Sequence, residues 1–219
     1  MSKSVFSTSK WELKRNKLAV LVPCRDMIHT AFAKCLCELV KLNTQNNIDT
    51  HVVYDASTIL LNQREQLARE ARNIGAEYML WLDSDMAFPS TTALRLMAHK
   101  QPVVAANYIR RQPPFKGVAY PKIGDWENPL TYEVSDDLVE VEGIGMGCML
   151  MKTSILDKIT QPYFEFSYCP TTEDWLGEDM NFCMKIRNAG YPILVDTALS
   201  METRHMGTWA FGPELLNQV

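Results

Sequence analysis

The chain has 219 residues, of which 47% are apolar and 22% charged, and a formal net charge of −4. That composition is typical of a soluble globular chain long enough for one domain and a single core. Its mild acidity argues against a basic field for a nucleic-acid duplex and against a polybasic helix for an anionic membrane. The opening MSKSVFSTSKWELKRNK is polar and has no apolar signal core, and no apolar run is long enough for a membrane span. Six cysteines, at 24, 35, 37, 148, 169 and 183, show no C-x-x-C and no zinc-site spacing. They read as reduced thiols, and the protein is expected to be cytoplasmic.

After an arm over residues 1–17, KLAVLVPCRD (17–26) predicts a buried strand stopping at Pro23, and MIHTAFAKCLCELVKL (27–42) a helix. DTHVVYDAS (49–57) predicts a second strand ending at Asp55. TILLNQREQLAREARNIG (58–75) predicts a helix stopped by Gly75. EYMLWLD (77–83) is a third strand, STTALRLMAHK (90–100) a helix with Ser90 as N-cap, and PVVAANY (102–108) a fourth strand. Continuous apolar strands alternating with helices predict an α/β fold with a largely parallel sheet flanked by helices. Residues 109–142 break the pattern and predict an excursion with a small β-hairpin, from short alternating runs at 131–134 and 138–141. Residues 143–159 predict a strand and a short helix, 161–177 an aromatic-rich surface loop, 178–190 a helix ended by Gly190, and 191–197 a late strand. The expected organisation is one domain over 18–219.

In such sheets ligands bind beyond the carboxyl ends of the strands. Arg25, Asp26, Asp55, Asp83 and Asp85 all fall there. Asp83-Ser84-Asp85 follows YMLWL directly; at a strand end residues i and i+2 point the same way, so both carboxylates are expected to face one cation such as Mg²⁺ or Mn²⁺. His205 can complete such a site. In the second helix Arg64 is the one charge on a stripe with Leu60, Leu67, Ala68, Ala71 and Ile74. Either a structural ion pair or contact with a phosphate or nucleotide accounts for it. In the helix from 178, Asp179 shares a face with Phe182, Cys183 and Ile186, so it is expected to point inward as a general base, with Glu178 pointing elsewhere. The glycines of GIGMG (143–147) permit close approach of backbone to substrate, or tight packing.

These segments resemble a nucleotide-sugar-dependent glycosyltransferase of the GT-A fold, inverting and family-2-like. The matching pieces are VLVPCRD, VVYDAS, YMLWLDSDM, GIGMGCMLMKTSIL, GEDMNFCMKIRNAGYPI and RHMG, in the family's order over roughly residues 18–207. The resemblance implies a nucleotide-binding part over about 18–107 and an acceptor-side part over about 108–219. It implies that Pro23, Arg25 and Asp55, with Arg64 and Asp83, hold the donor nucleotide. Asp85, His205 and Asp83 would hold Mn²⁺ or Mg²⁺ on the diphosphate, and Asp179 would be the catalytic base. Arg110 and Arg111 offer cationic help to the leaving group. Glu178, Trp175 and Trp209 are placed near the acceptor or in a lid, where the indoles serve as packing or as sugar platforms.

The implied donor is a UDP-sugar, or a GDP-sugar, and the acceptor a glycan, a protein or a small molecule. The absence of Q-x-x-R-W and of membrane spans favours single transfer over processive synthesis. Two other readings compete. A metal-dependent nucleotidyl or phosphoryl transferase would normally carry an early glycine-rich loop, which PCRDMIH lacks. A catalytically silent nucleotide-sugar-binding protein would bind metal without turnover.

Overall fold

A computed structural model describes residues 16–135, 137–169, 173–207 and 210–213. The first half alternates as expected: β1 (Lys17–Pro23), α1 (Thr30–Gln45), β2 (Asp49–Asp55), α2 (Leu60–Asn73), β3 (Tyr78–Leu82), the short β4 (Met86–Ala87), α3 (Thr92–Ala98) and β5 (Val103–Ala105). The second half carries β6 (Ala119–Tyr120), β7 (Val139–Val141), β8 (Gly143–Ile144), β9 (Cys148–Lys152) and a 3₁₀ turn over Thr153–Asp157. It continues with β10 (Ser167–Cys169), β11 (Asp174–Leu176), α4 (Glu178–Asn188), β12 (Ile193–Val195), α5 (Thr197–Ser200), β13 (Arg204–Met206) and β14 (Ala210–Phe211).

The central sheet has seven strands in the order β2-β1-β3-β9-β5-β12-β7. β2, β1, β3, β5 and β12 run one way, while β9 and β7 run against them. β9 is inserted between β3 and β5, so a strand from the second half holds the first half's sheet together. The continuous apolar strands follow from burial on both faces. Along β1, Ala19 and Leu21 enter one core cluster with the inner faces of α2 and α4, and Leu18, Val20 and Val22 enter another with α1 and α3. α2 stops where Gly75 takes φ +67°; a Cβ there would meet nothing within 4 Å, so the left-handed backbone alone is what calls for glycine.

Four local expectations are corrected. The 131–134 run is not a strand, and 138–141 supplies β7, which pairs with β12 at the edge of the main sheet; β6 pairs instead with β8. Both expected strands are too short for periodicity to identify partners. Ser90 does not cap α3: Thr91 holds that position, and the Thr92 hydroxyl donates to the Pro89 carbonyl at 2.7 Å. The aromatic loop contains an antiparallel hairpin, β10–β11. On α2, Leu60 is exposed and Gln63 takes its place on the buried stripe.

The glycines of 143–147 serve packing. A Cβ on Gly145 would stand 2.5 Å from the Tyr108 hydroxyl, and one on Gly147 2.8 Å from the same ring. Tyr108 is buried, and its hydroxyl accepts a hydrogen bond from the Gly147 amide at 3.1 Å. Gly145→Ala is expected to push Tyr108 from its seat and lower stability by about 1–3 kcal/mol, measured by urea unfolding.

Candidate active site

The carboxyl ends of β1, β2 and β3 open onto a cleft of about 820 Å³, lined among others by Pro23, Arg25, Asp83, Asp85, Arg111 and His205. Its walls are tied by main-chain and amide bonds. The His29 amide donates to the Ser84 carbonyl at 3.0 Å, and the Cys24 amide to the Asp55 carbonyl at 3.0 Å. Buried Gln63 donates its amide to the Cys24 carbonyl at 2.6 Å and also to the Ser57 carbonyl, joining the loops after β1 and β2. Asp55 is at the sheet edge as expected, but its Oδ1 accepts from the Ser57 amide at 2.8 Å, and it is not among the residues lining the cleft. Gln63 was missed because a neutral amide beside Arg64 gives no charge signal; its spacing from Leu67 and Ala71 would have placed it on the buried stripe.

Asp83 and Asp85 line the same cleft but take different partners. β3 ends at Leu82, and the Met86 amide donates to the Asp83 carbonyl at 3.1 Å, so the triplet is a turn and strand alternation no longer applies. Asp83 Oδ1 meets Arg64 Nη2 at 3.4 Å, whereas Asp85 Oδ2 meets Arg111 Nη1 at 3.0 Å and His205 Nε2 at 3.5 Å. The histidine is brought there by sheet pairing. β13 runs antiparallel to β4 with His205 opposite Met86, and the Met206 amide donates to the Asp85 carbonyl at 2.6 Å.

His205 Nδ1 lies 3.1 Å from the Ile109 carbonyl, which can only accept, so Nδ1 carries a proton. In the neutral ring Nε2 is then a bare lone pair facing the Asp85 carboxylate. Two acceptors so placed call for a proton or a metal cation between them. Burial raises the Asp85 pKa, but the His205 hydrogen bond and the charges of His205 and Arg111 outweigh it and hold the carboxyl below its ordinary range. Among the described residues no three His, Cys, Asp or Glu side chains form a closed cage. The donor set is one carboxylate and one imidazole, which fits a divalent ion completed by ligand oxygens and water.

A second cluster lies around Arg64, whose exposure is 3%. Its Nη2 reaches Asp83 at 3.4 Å and Glu178 at 3.6 Å, while Nε and Nη1 are buried without a hydrogen-bond partner. Burial works against the guanidinium charge, but Asp83, Glu178 and Asp179 overcome it and push its pKa up. Asp179 is part-buried and within electrostatic range of both Arg64 and Asp83. Burial and then the Glu178 charge raise its pKa to about 6, against the pull of Arg64. Tyr108 joins the two clusters: it stacks edge-on to His205 at 5.3 Å, and Asp83 and Asp179 add to the burial that raises its phenol pKa.

The expectation that Glu178 points away is corrected. Glu178 is buried on Arg64, because it lies four residues before Phe182 and eight before Ile186 on the inward side of α4. Arg110 and Arg111 part company: Arg110 Nε donates to the Pro114 carbonyl at 2.9 Å, and only Arg111 reaches Asp85. Trp175 is exposed on β11; Trp209 lies outside the described residues. Among the described residues no helix is long and apolar enough to cross a membrane.

No protein-family model matches the chain, and no curated protein sequence does. Among solved structures it is similar to A197 from STIV, at 19% identity and a TM-score of 0.60, with 91% of each chain covered. TarS of S. aureus (residues 1–349) aligns at 17% identity and a TM-score of 0.44, over 82% of this chain and 57% of that one. An apo UDP-glucose pyrophosphorylase aligns at 8% identity and 0.47, over 83% and 89%. The likeness to A197 spans nearly the whole chain, and the fold is GT-A: a mixed sheet, five of its seven strands running one way, flanked by helices.

Proposed function

We propose that the protein is a glycosyltransferase that moves a sugar from a nucleoside-diphosphate sugar to an acceptor hydroxyl with the help of Mn²⁺ or Mg²⁺, inverting the anomeric centre. The observation that carries this reading is the approach of Asp85 Oδ2 to His205 Nε2, 3.5 Å apart, on the lining of the cleft. The GT-A fold and the raised pKa of Asp179 support it. The glycine-free loop between β1 and α1 weighs against a nucleotidyl transferase.

In this reading the nucleotide lies in the cleft against Pro23 and Arg25, with Asp83 on the ribose. Asp85 and His205 hold the divalent ion, which when bound stabilises the charge gained by the departing diphosphate. Arg111, already on Asp85, adds a second positive charge on that side. Arg64 holds Asp83 in place and is itself anchored by Glu178. The acceptor oxygen attacks the anomeric carbon opposite the leaving group, the C–O bond to the diphosphate breaks with its electron pair, and Asp179 takes the hydroxyl proton. The donor is a UDP-sugar, with a GDP-sugar as the alternative.

A thermal-shift panel of UDP-, GDP- and dTDP-sugars with and without Mn²⁺ or Mg²⁺ tests this. Near saturation one donor is expected to raise Tm by about 5 °C or more with metal, and His205→Ala to lose the metal-dependent part. Failure of every donor to stabilise the wild type in a metal-dependent way overturns the reading.

A further inference from the structure

The place of His205 beside Asp85 depends on how β13 lies against β4. That ladder has two register pairs, Arg204 with Ala87 and His205 with Met86. β14 pairs with the other side of β13 over two more, but it follows β13 in the chain and pins nothing to β4. So short a ladder does not fix its own register, and a slip of one residue turns a strand's side chains to the opposite face. His205 would then leave Asp85, the Ile109 carbonyl and the Tyr108 ring together.

An ion-pair cluster outside the cleft restrains this register. The stretch that supplies Asp85 and β4 continues into α3, which carries Arg95, with His99 at its end. Arg95 Nη1 meets Glu202 Oε1 at 2.5 Å, and its Nη2 lies 3.7 Å from Asp196 Oδ1. One guanidinium therefore grips both ends of α5: the residue that caps its start, and the second residue beyond its end. His99 Nε2 adds a contact to Asp196 Oδ2 at 3.0 Å. α5 is braced within. Buried Asp196 accepts from the Leu199 amide at 2.7 Å, and the Ser200 hydroxyl donates to the Asp196 carbonyl at 2.7 Å while accepting from the Asn107 amide at 2.8 Å. Buried Thr203 donates its hydroxyl to the Leu199 carbonyl at 3.0 Å. Glu202 is thus fixed against α3. The three residues from there to His205 span about 10 Å when extended, which leaves little slack for a one-residue shift.

We infer that Arg95 is a positioning residue for His205: by holding Asp196 and Glu202 it sets the register of β13 on β4 and so turns the imidazole toward Asp85. Arg95 is not among the residues lining the cleft, so it acts through the strand and not on a bound molecule. That a displaced His205 weakens metal binding rests on the glycosyltransferase reading; the register itself does not.

Two measurements keep these apart. The first uses metal-free protein at pH 8. The ring-proton NMR resonances of His205, assigned with His205→Gln, carry the ring-current shift of Tyr108, whose ring centre is 5.3 Å away. In Arg95→Gln and Glu202→Gln these resonances are expected to double or to move toward the position of free histidine. In Arg95→Lys, which keeps a cation on Glu202, they should stay near those of the wild type. The second is Mn²⁺ affinity by calorimetry without donor, expected to fall at least threefold in both amide variants and to recover largely in Arg95→Lys. Glu202 is exposed, and so exposed a pair adds little to global stability, so Glu202→Gln should keep the wild-type Tm and report position alone. The inference is overturned if the His205 resonances of both amide variants coincide with those of the wild type, or if they move and Mn²⁺ affinity does not. A wild type that binds no Mn²⁺ would strike the metal reading, and the NMR comparison would still decide the register.

Discussion

Asp179→Asn is expected to lower sugar transfer by about 10²–10⁴-fold while leaving donor binding intact. The carboxylate's proposed task is to accept a proton, and an amide of the same shape cannot do so. The wild-type pH profile should carry the signature of the same group. Burial and the neighbouring Glu178 raise its pKa to about 6, so kcat/KM rises with pH through about 6 as the base ionises, and that limb is absent from the residual activity of the variant. The stability linkage runs the other way. A carboxyl whose folded pKa stands above its ordinary 3.8 binds more protons folded than unfolded between about 4 and 6. Stability therefore falls as pH rises through that window, and the deficit persists above it. Asp179→Asn removes it, so the inactive variant should be more stable than the wild type at pH 8, by about 1–3 kcal/mol, in urea unfolding. An Asn variant with full activity would remove Asp179 as the base.

The second large effect belongs to Arg64. Replacing it with Leu leaves Asp83, Glu178 and Asp179 facing one another without their buried counter-charge. Breaking a buried pair from one side costs about 3–5 kcal/mol; the partial exposure of Asp83 places this case at about 3 kcal/mol. The deprived carboxylates should then take raised folded pKa values, so the penalty is full at neutral pH and shrinks as pH falls toward 5 and they protonate. A penalty equal at pH 5 and pH 8 would mean that packing, not charge, sets the role of Arg64. Arg64→Lys should recover only part of the loss, because one ammonium cannot span the two carboxylates as the guanidinium fork does.

Much of the fold was legible because burial on both faces writes long apolar runs into β1 and β3, and amphipathic stripes into α2 and α4. What escaped depends on partners distant in the chain. β7 and β6 are three and two residues long, and nothing in so short a run says that one joins β12 and the other β8. The same holds within the site. Asp83, Asp85, Arg64 and Asp179 could each be placed at one sheet edge from strand ends and helix starts. Their pairings could not, because a turn after Leu82 sends Asp83 to Arg64 and Asp85 to His205. His205 owes its place to the β13–β4 register. Tyr108 reads as one more apolar strand residue, and only the glycines packed on its ring reveal it as the link between the two clusters. Glu178 was misplaced by counting the helical face from Asp179 alone, when its own spacing to Phe182 points just as firmly inward.

The position of β9 bears on how the chain is made. On the ribosome, β1, β2, β3 and β5 emerge well before β9, yet β3 and β5 make no direct ladder and are bridged only when Cys148–Lys152 slides between them. Until then a nascent chain carries two strands with open hydrogen-bonding edges, each a template for pairing with another chain. The stretch before residue 108 therefore cannot complete its share of the sheet until Cys148–Lys152 is in place between β3 and β5. A gene fusion or split placed between that stretch and β9 would divide a sheet and not two modules, whereas an insertion at the exposed 110–114 turn would leave every strand of that sheet whole.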